Sequence, residues 1–285
     1  HNADRHFLGR MAGLTIASEA MSSGQVSCIF TAGEEALHFS SETDCVPLEL
    51  DISFLGDMTD SSGNNHIASA HGSVSVDTEG LHIGGTGDWL EIENFNYADD
   101  GYFTIGFWMT KEACTGNTYE YLYSHAEDEL ETDFTETSNS NVNMYFGCER
   151  SGGGSSTASG SVLRHNLIDS AGTWASFDLP VHDAGNFNSI TNVWIHIAVV
   201  VNGNSILSYR DSQIAPADGY GFFSGWPRDT NSAYPNPQAL TSTFGAFGMH
   251  SNIHLGSRTD HNADRHFLGR MAGLTIASEA MSSGQ

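Results

Sequence analysis

Short alternating segments, separated by turn signals at steady spacing, dominate the chain from Leu48 onward and restrict it to a β architecture. LELDISF, HGSVSV, GLHIG, DWLEIE and YFTIGFWMTK follow one another, with Ser62-Gly63-Asn64, Glu79-Gly80, Gly85-Thr86-Gly87 and Asp100-Gly101 between them. Alternation of apolar and polar side chains buries one face of a strand, and Gly, Asn and Asp supply the backbone angles of turns. YEYLYSHA, NMYFGCER, SVLRHNLID and WASFDLPV continue the series. VWIHIAVVVNG, Val193 to Gly203, is the most apolar segment and runs through the Asn202-Gly203 turn into SILSYRDSQ, which predicts a buried hairpin. FGMHSNIHLGS adds a later strand. Residues 215–244, rich in Gly, Pro, Asn and aromatics without a period, predict a long surface loop. Nowhere does a ten-residue helical period outcompete alternation.

A second feature bears on assembly. HNADRHFLGRMAGLTIASEAMSSGQ occurs twice, letter for letter, as His1 to Gln25 and as His261 to Gln285. Identity of this length predicts a window of about one unit from a tandem array. The expected organisation is residues 1–25 as the tail of a preceding repeat, 26–47 as a short connector, and 48–285 as one two-sheet antiparallel sandwich. Such a sandwich seats a single closing strand, so one copy is expected to close this domain and the other to belong to a neighbour. The expected partner is therefore the chain itself, through residues 1–25 and 261–285, in a head-to-tail contact of the kind that propagates into filaments. Exchange of the strand between separate chains is a close variant.

Composition narrows the partners. Lys and Arg total 10 against 35 Asp and Glu, a formal charge of -25. That field repels phosphate backbones and anionic lipid surfaces, and no apolar run approaches the roughly 18 residues that span a bilayer. Nucleic acid and membrane insertion are not expected. A Gly-rich chain with 16% charged residues suits an extracellular or cell-surface β protein. Cys28, Cys45, Cys114 and Cys148 permit three pairings, of which Cys28 with Cys45 and Cys114 with Cys148 is the simplest in chain order. Buried free thiols are the alternative. The first pair would close the connector and the second would staple the acidic excursion between Tyr119 and Arg150. No Asn stands in an N-x-Ser/Thr sequon, and the tract Ser151 to Ser161 reads as a flexible loop able to carry O-linked sugars.

Several motifs in order resemble the laminin G-like family of the concanavalin A-like jelly rolls. DMTDSSGNN (Asp57 to Asn65) is similar to that family's opening loop, and GLHIGGTGDWLEI (Gly80 to Ile92) to its strand and Gly-Asp turn. FTIGFWMT (Phe103 to Thr110) is similar to its Phe-Thr-x-x-Phe-Trp strand, and WIHIAVVVNGNSILSYRDSQ (Trp194 to Gln213) to its Trp-x-His-x-Ala-Val hairpin. IHLGS with FLGRMAGLTIASEAMS (Phe267 to Ser282) resembles the closing strand. The resemblance covers roughly residues 48 to 285 and implies an all-β jelly roll. Trp89, Phe107, Trp108 and Trp194 are then expected to pack its core rather than stack on sugars.

Members of so wide a family act as adhesion modules, lectins, sometimes with calcium, or glycoside hydrolases. Asp51 matches the position of the family's first calcium acid, while Ala272 and Gly273 stand where the last strand's acids would lie; Asp60 and Asp88 are further calcium candidates in their loops. Glu49-Leu-Asp51-Ile-Ser53 resembles the Glu-x-Asp-x-x-Glu strand of jelly-roll glucanases but lacks the third acid, at Ser53 or Phe54. A retaining mechanism needs two carboxylates about 5 Å apart, so no catalysis is expected. His261, Asp264 and His266, repeated as His1, Asp4 and His6, read as polar loop residues, since alternation puts His261 and His266 on opposite faces. His196 reads as a hydrogen-bonded core histidine.

The expected function is thus a non-enzymatic repeat unit of an extracellular filament or of a cell-surface or flagellar appendage. A glycan-binding adhesion module is the alternative, with Tyr220, Phe222, Phe223, Trp226 and Tyr234 of the aromatic loop stacking on sugars or on the neighbouring repeat.

Overall fold

The computed structural model of the chain describes residues 48–97, 101–112, 119–126, 140–147, 162–172, 174–180, 192–203, 205–210, 213–214, 238–239, 244–245, 247, 251–259 and 266–278. The four cysteines, the aromatic loop residues Tyr220 to Tyr234, residues 1–47, His261 and Asp264 lie outside the described residues.

The described residues form strands and no helix. In chain order these are β1 (Leu48–Ile52), β2 (Ala68–His71), β3 (Ser75–Asp77), β4 (Gly80–Gly84) and β5 (Trp89–Phe95). β6 (Tyr102–Lys111), β7 (Tyr119–Ala126), β8 (Asn141–Gly147), β9 (Val162–Ile168) and β10 (Trp174–Pro180) follow. The last six are β11 (Ile195–Asn202), β12 (Ser205–Arg210), β13 (Gln213–Ile214), β14 (Gln238–Ala239), β15 (Ser251–Leu255) and β16 (Leu268–Ala277). The first sheet runs β13-β12-β11-β6-β16-β4-β3, with β1 also paired to β16 and β14 to β12. The second runs β10-β9-β8-β7-β15-β5-β2. Neighbouring strands in both sheets pair antiparallel. The all-β, two-sheet sandwich expected from the alternation is the fold observed.

β16, the second copy of the duplicated segment, is the keel of the first sheet. One edge pairs with β6 along most of its length; the other pairs first with β4, through Leu268 to Met271, and then with β1, through Leu274 to Ala277. The changeover falls on an irregularity between Ala272 and Thr275, where Gly273 adopts φ 59 and its N–H donates to Ser53 O at 2.9 Å. Glycine reaches that left-handed conformation without a Cβ penalty.

Between the sheets lies one core. β6 contributes Phe103, Ile105, Phe107 and Met109, β11 contributes Ile195, Ile197, Val199 and Val201, and β16 contributes Met271, Leu274 and Ile276. Across from them stand Leu90, Ile92, Leu122, Tyr123, Val142, Met144, Phe146, Leu163, Leu167, Ile253 and Leu255 of the second sheet. Parity corrects part of the expectation for the aromatics. Phe107 is in the core, and its neighbour Trp108 must therefore point the other way, where it is half-buried against His196. Trp89 is likewise half-buried and faces outward, opposite Leu90, and Trp194 precedes β11 at 37% exposure.

One expected strand is two. HGSVSV divides at Gly72: His71 ends β2 in the second sheet, and Ser75 begins β3 in the first. Gly72 has φ 71, and a Cβ there would meet Gly87 O and the Asp88 carboxylate at 2.3 Å. Only glycine fits this corner, and the side-chain pattern alone does not show that the chain changes sheets there.

A buried ion pair ties the layers at one end. Lys111 Nζ, on β6, donates to Glu120 Oε2, on β7; both side chains are fully buried, and the ammonium lies 4.9 Å from the Phe267 ring centroid and 5.6 Å from that of Phe146. Burial pulls the Lys111 pKa below its ordinary range, and Glu120 opposes the shift. Removing one member leaves an uncompensated buried charge, whereas removing both leaves a hydrophobic gap of manageable shape. Lys111→Met and Glu120→Leu should each lower the free energy of urea unfolding by about 3–5 kcal/mol, and the double variant should lose less than either single one.

Candidate functional site

Register builds a polar row across the outer face of the second sheet. Ser69 stands opposite Glu91, Glu91 opposite His254, and His254 opposite Ser124. Ser124 stands opposite Asn143, Asn143 opposite Asn166, and Asn166 opposite Ser176. The row takes one described side chain from each of six strands, β2, β5, β15, β7, β8 and β9, and its register continues along the backbone to β10. Directly opposed residues share a face. Their chain neighbours Leu90, Leu255, Tyr123, Met144 and His165 form the matching row on the inner face.

The row is open at the β2 and β5 end and closed in the middle of the sheet. The Glu91 side chain is 22% exposed and that of His71 37%, whereas Ser124, Asn143 and His254 are buried. At the open end the His71 ring stacks on Trp89, centroids 4.6 Å apart and planes 8° from parallel. Glu91 is the hub: Asn252 Nδ2 donates to its Oε1 at 3.1 Å, while His71 Nε2 and His254 Nε2 stand 3.6 and 3.8 Å from its Oε2. Asn252 is itself held, because its Oδ1 accepts the N–H of Asn94 at 3.0 Å. Further in, Ser124 Oγ donates to Asn143 Oδ1 at 2.6 Å and Asn143 Nδ2 to Asn141 Oδ1 at 3.1 Å. Asn166 Nδ2 donates to the Tyr145 hydroxyl at 3.1 Å, and Tyr145 stacks on Tyr121 with centroids 4.9 Å apart. A carboxylate, imidazoles, amides and hydroxyls aligned beside flat rings are the groups that hydrogen-bond and stack a hydroxyl-rich ligand. The row contains no Lys or Arg.

The aspartates singled out from the sequence do different work. Asp60 is buried, with Oδ1 accepting the N–H groups of Asp51 and Ser62, both at 3.0 Å. Its Oδ2 accepts the His66 N–H at 3.0 Å and the Ser62 hydroxyl at 2.9 Å. These bonds fold the loop after β1, which walls a shallow groove ending at the exposed Ile67. Asp88 accepts the Ser73 N–H at 2.6 Å and so fixes the corner at Gly72. Asp51 is buried on β1. Among the described residues no group of three His, Cys, Asp or Glu side chains is placed to hold a metal ion. Glu49 lies on β1, where Asn64 Nδ2 donates to its backbone carbonyl at 3.0 Å. His266 is buried and bridges to Tyr121.

Burial makes three histidines less basic. Burial lowers the pKa of His125 to about 3, aided by His254, although a backbone hydrogen bond with Ser251 opposes the shift. Burial also lowers His165 to about 3 and His196 to about 4. His196 thus lies buried on the outer face of its sheet, beside Trp108, rather than between the layers. The interior also holds Tyr97 and Tyr123, whose hydroxyls hydrogen-bond to each other and whose pKa values burial raises.

No protein-family model matches the chain, and no curated protein matches it in sequence. Solved structures match in fold. The receptor binding domain of botulinum neurotoxin D aligns with a TM-score of 0.57 at 12% identity, over 83% of this chain and 50% of that one. The botulinum neurotoxin type G receptor binding domain aligns with a TM-score of 0.50 at 12% identity, over 83% and 49%. The ligand binding domain of botulinum neurotoxin serotype D in complex with N-acetylneuraminic acid gives 0.50 at 13% identity, over 83% and 49%. The chain spans about half the length of these structures. The likeness is one of fold, and it is compatible with a jelly-roll-like sandwich.

The neutral histidines set an acid sensitivity. A group whose folded pKa lies below its unfolded value near 6.5 binds fewer protons when folded, so stability is complete above that value and is lost as pH falls toward 3 to 4. Each such histidine should remove about 1.4 kcal/mol per pH unit below about 6. Urea midpoints between pH 7 and 4.5 should fall accordingly, and His165→Met should flatten the profile.

Proposed function

We propose that the chain is a non-catalytic glycan-binding module of an extracellular or cell-surface protein, of the laminin G-like jelly-roll kind. The polar row on the outer face of the second sheet carries this reading, with Glu91 and the His71–Trp89 stack at its accessible end. Sugars present vicinal hydroxyls that pair with carboxylates and amides, and apolar ring faces that stack on aromatics. The common fold with domains that bind receptors, one of them solved with N-acetylneuraminic acid, supports a binding role over a catalytic one. Charge argues for a different sugar here. A chain of formal charge -25, whose row includes a carboxylate and no Lys or Arg, selects neutral or amino sugars over acidic ones. Trp226 and its aromatic neighbours in the loop are further contacts in this proposal.

A glycan array should therefore return neutral or amino sugars. Glu91→Gln and Trp89→Ala should each weaken binding roughly tenfold to a hundredfold, the worth of one charge-assisted hydrogen bond or one stacking surface, with the melting temperature unchanged. Failure to bind any glycan, or binding indifferent to both substitutions, would sink the proposal.

The duplicated segment favours a second reading, a repeat unit of an extracellular filament. Its second copy fills the central place in the first sheet, and the first copy carries the same ten residues for a like place. Native material that is filamentous under the electron microscope would support this reading; a monomer from a gene with one unit would remove it.

A further inference from the structure

We infer that Lys111 and Glu120 are reactants as well as an ion pair: Nζ of Lys111 condenses with the Glu120 carboxyl group into a side-chain amide that joins the two sheets covalently. The pair stands where the chain passes between layers. Lys111 is the last residue of β6, in the first sheet, and Glu120 the second residue of β7, in the second sheet. Both side chains are fully buried, and Nζ donates to Oε2, one bond away from the carbon it attacks. The walls of the site are aromatic. Phe146 stands opposite Glu120 on β8, and its ring stacks on that of Phe267 with centroids 6.1 Å apart and planes 21° from parallel. The ammonium lies within 5.6 Å of both ring centroids. Opposite Lys111 on β16 stands Gly269, where a Cβ would come within 2.7 Å of the Phe267 ring. A bare glycine there lets the ring cover the pair.

In water, hydration stabilises an ammonium and a carboxylate against condensation and exposes the amide to hydrolysis. Burial reverses both preferences, because it withdraws hydration from the charges and keeps water away from the product. Burial also favours the nucleophilic neutral amine: it pulls Lys111 below its ordinary pKa range, although Glu120 and Glu112 oppose the shift. The step balances without a further reagent. The proton that Nζ donates passes to Oε2, leaving a neutral amine and a carboxylic acid. The amine lone pair then attacks Cδ, a second Nζ proton passes to the hydroxyl oxygen, and the C–O bond breaks as the amide C–N bond is completed. One water leaves, and nothing is oxidised or reduced. Groups held in reacting geometry behave as though present at about 10⁵ M or more, so the fold itself supplies the encounter. The product links residues nine apart in sequence and fixes the passage from one sheet to the other.

Mass spectrometry of the full chain, purified folded and then denatured with its cysteines reduced, tests this. The protein should be lighter than its sequence requires by the mass of one water, and trypsin should fail to cut after Lys111. Fragmentation of the uncut peptide should give no backbone ions between residues 111 and 120, which places the link. Lys111→Arg keeps the positive charge without the amine, and Glu120→Leu removes the carboxyl group. Each variant should therefore carry its full sequence mass, whether or not it folds as well as the parent. Full sequence mass in the folded parent protein would leave the pair as an ion pair and overturn the inference. A lost water placed elsewhere in the chain, or one still lost in Lys111→Arg, would overturn it equally.

Discussion

The nine-stranded sheet depends on a strand that is paired along both edges. β16 takes β6 on one side and β4 followed by β1 on the other, so three segments far apart in sequence are held together by its backbone alone. A strand in that position leaves no unsatisfied ladder groups in the middle of the sheet, and its inward residues are fixed by the period of two. A slip by one residue would turn Met271 and Ile276 out of the core. The change of partner from β4 to β1 falls at Gly273, where the register of β16 against β6 also shifts, between Ala272 and Thr275.

Around that frame the two faces of the second sheet are set to opposite tasks. The inner face carries Leu90, Leu255, Tyr123 and Met144 into the common core, and the outer face carries Glu91, His254, Ser124 and Asn143 in register. Hydrogen bonds along the outer row hold its amides in fixed orientations. The interior is less uniform than a hydrophobic core. It keeps a lysine, a glutamate, two tyrosine hydroxyls and several histidines, each matched with a neighbour or held neutral by burial.

Most of the strands were legible from alternation and turn residues. LELDISF, GLHIG, YFTIGFWMTK and the hairpin through Asn202-Gly203 coincide with observed strands or contain them, and DWLEIE overlaps β5, which runs on to Phe95. Parity was legible in principle but misjudged for the tryptophans, because Phe107 and Trp108 are consecutive and cannot share a face. The split of HGSVSV was hidden, since its alternation continues through the point where Gly72 redirects the backbone. The polar row was hidden for another reason. Each member is an unremarked polar residue within its own strand, and only the register of seven strands, a property of pairing and not of local pattern, brings Glu91, His254, Ser124 and Asn143 into line.

Gly72 also has a mechanical meaning. Two sheets that met only through side chains could shear past one another under load by exchanging apolar contacts of similar strength. The chain passes from β2 to β3 through a corner of three residues, pinned by Asp88, so the layers are sewn together by covalent bonds at that edge. Force applied along the strands therefore arrives at a stitch of main chain before it reaches the core, and the sandwich resists sliding there as cloth resists parting at a hem.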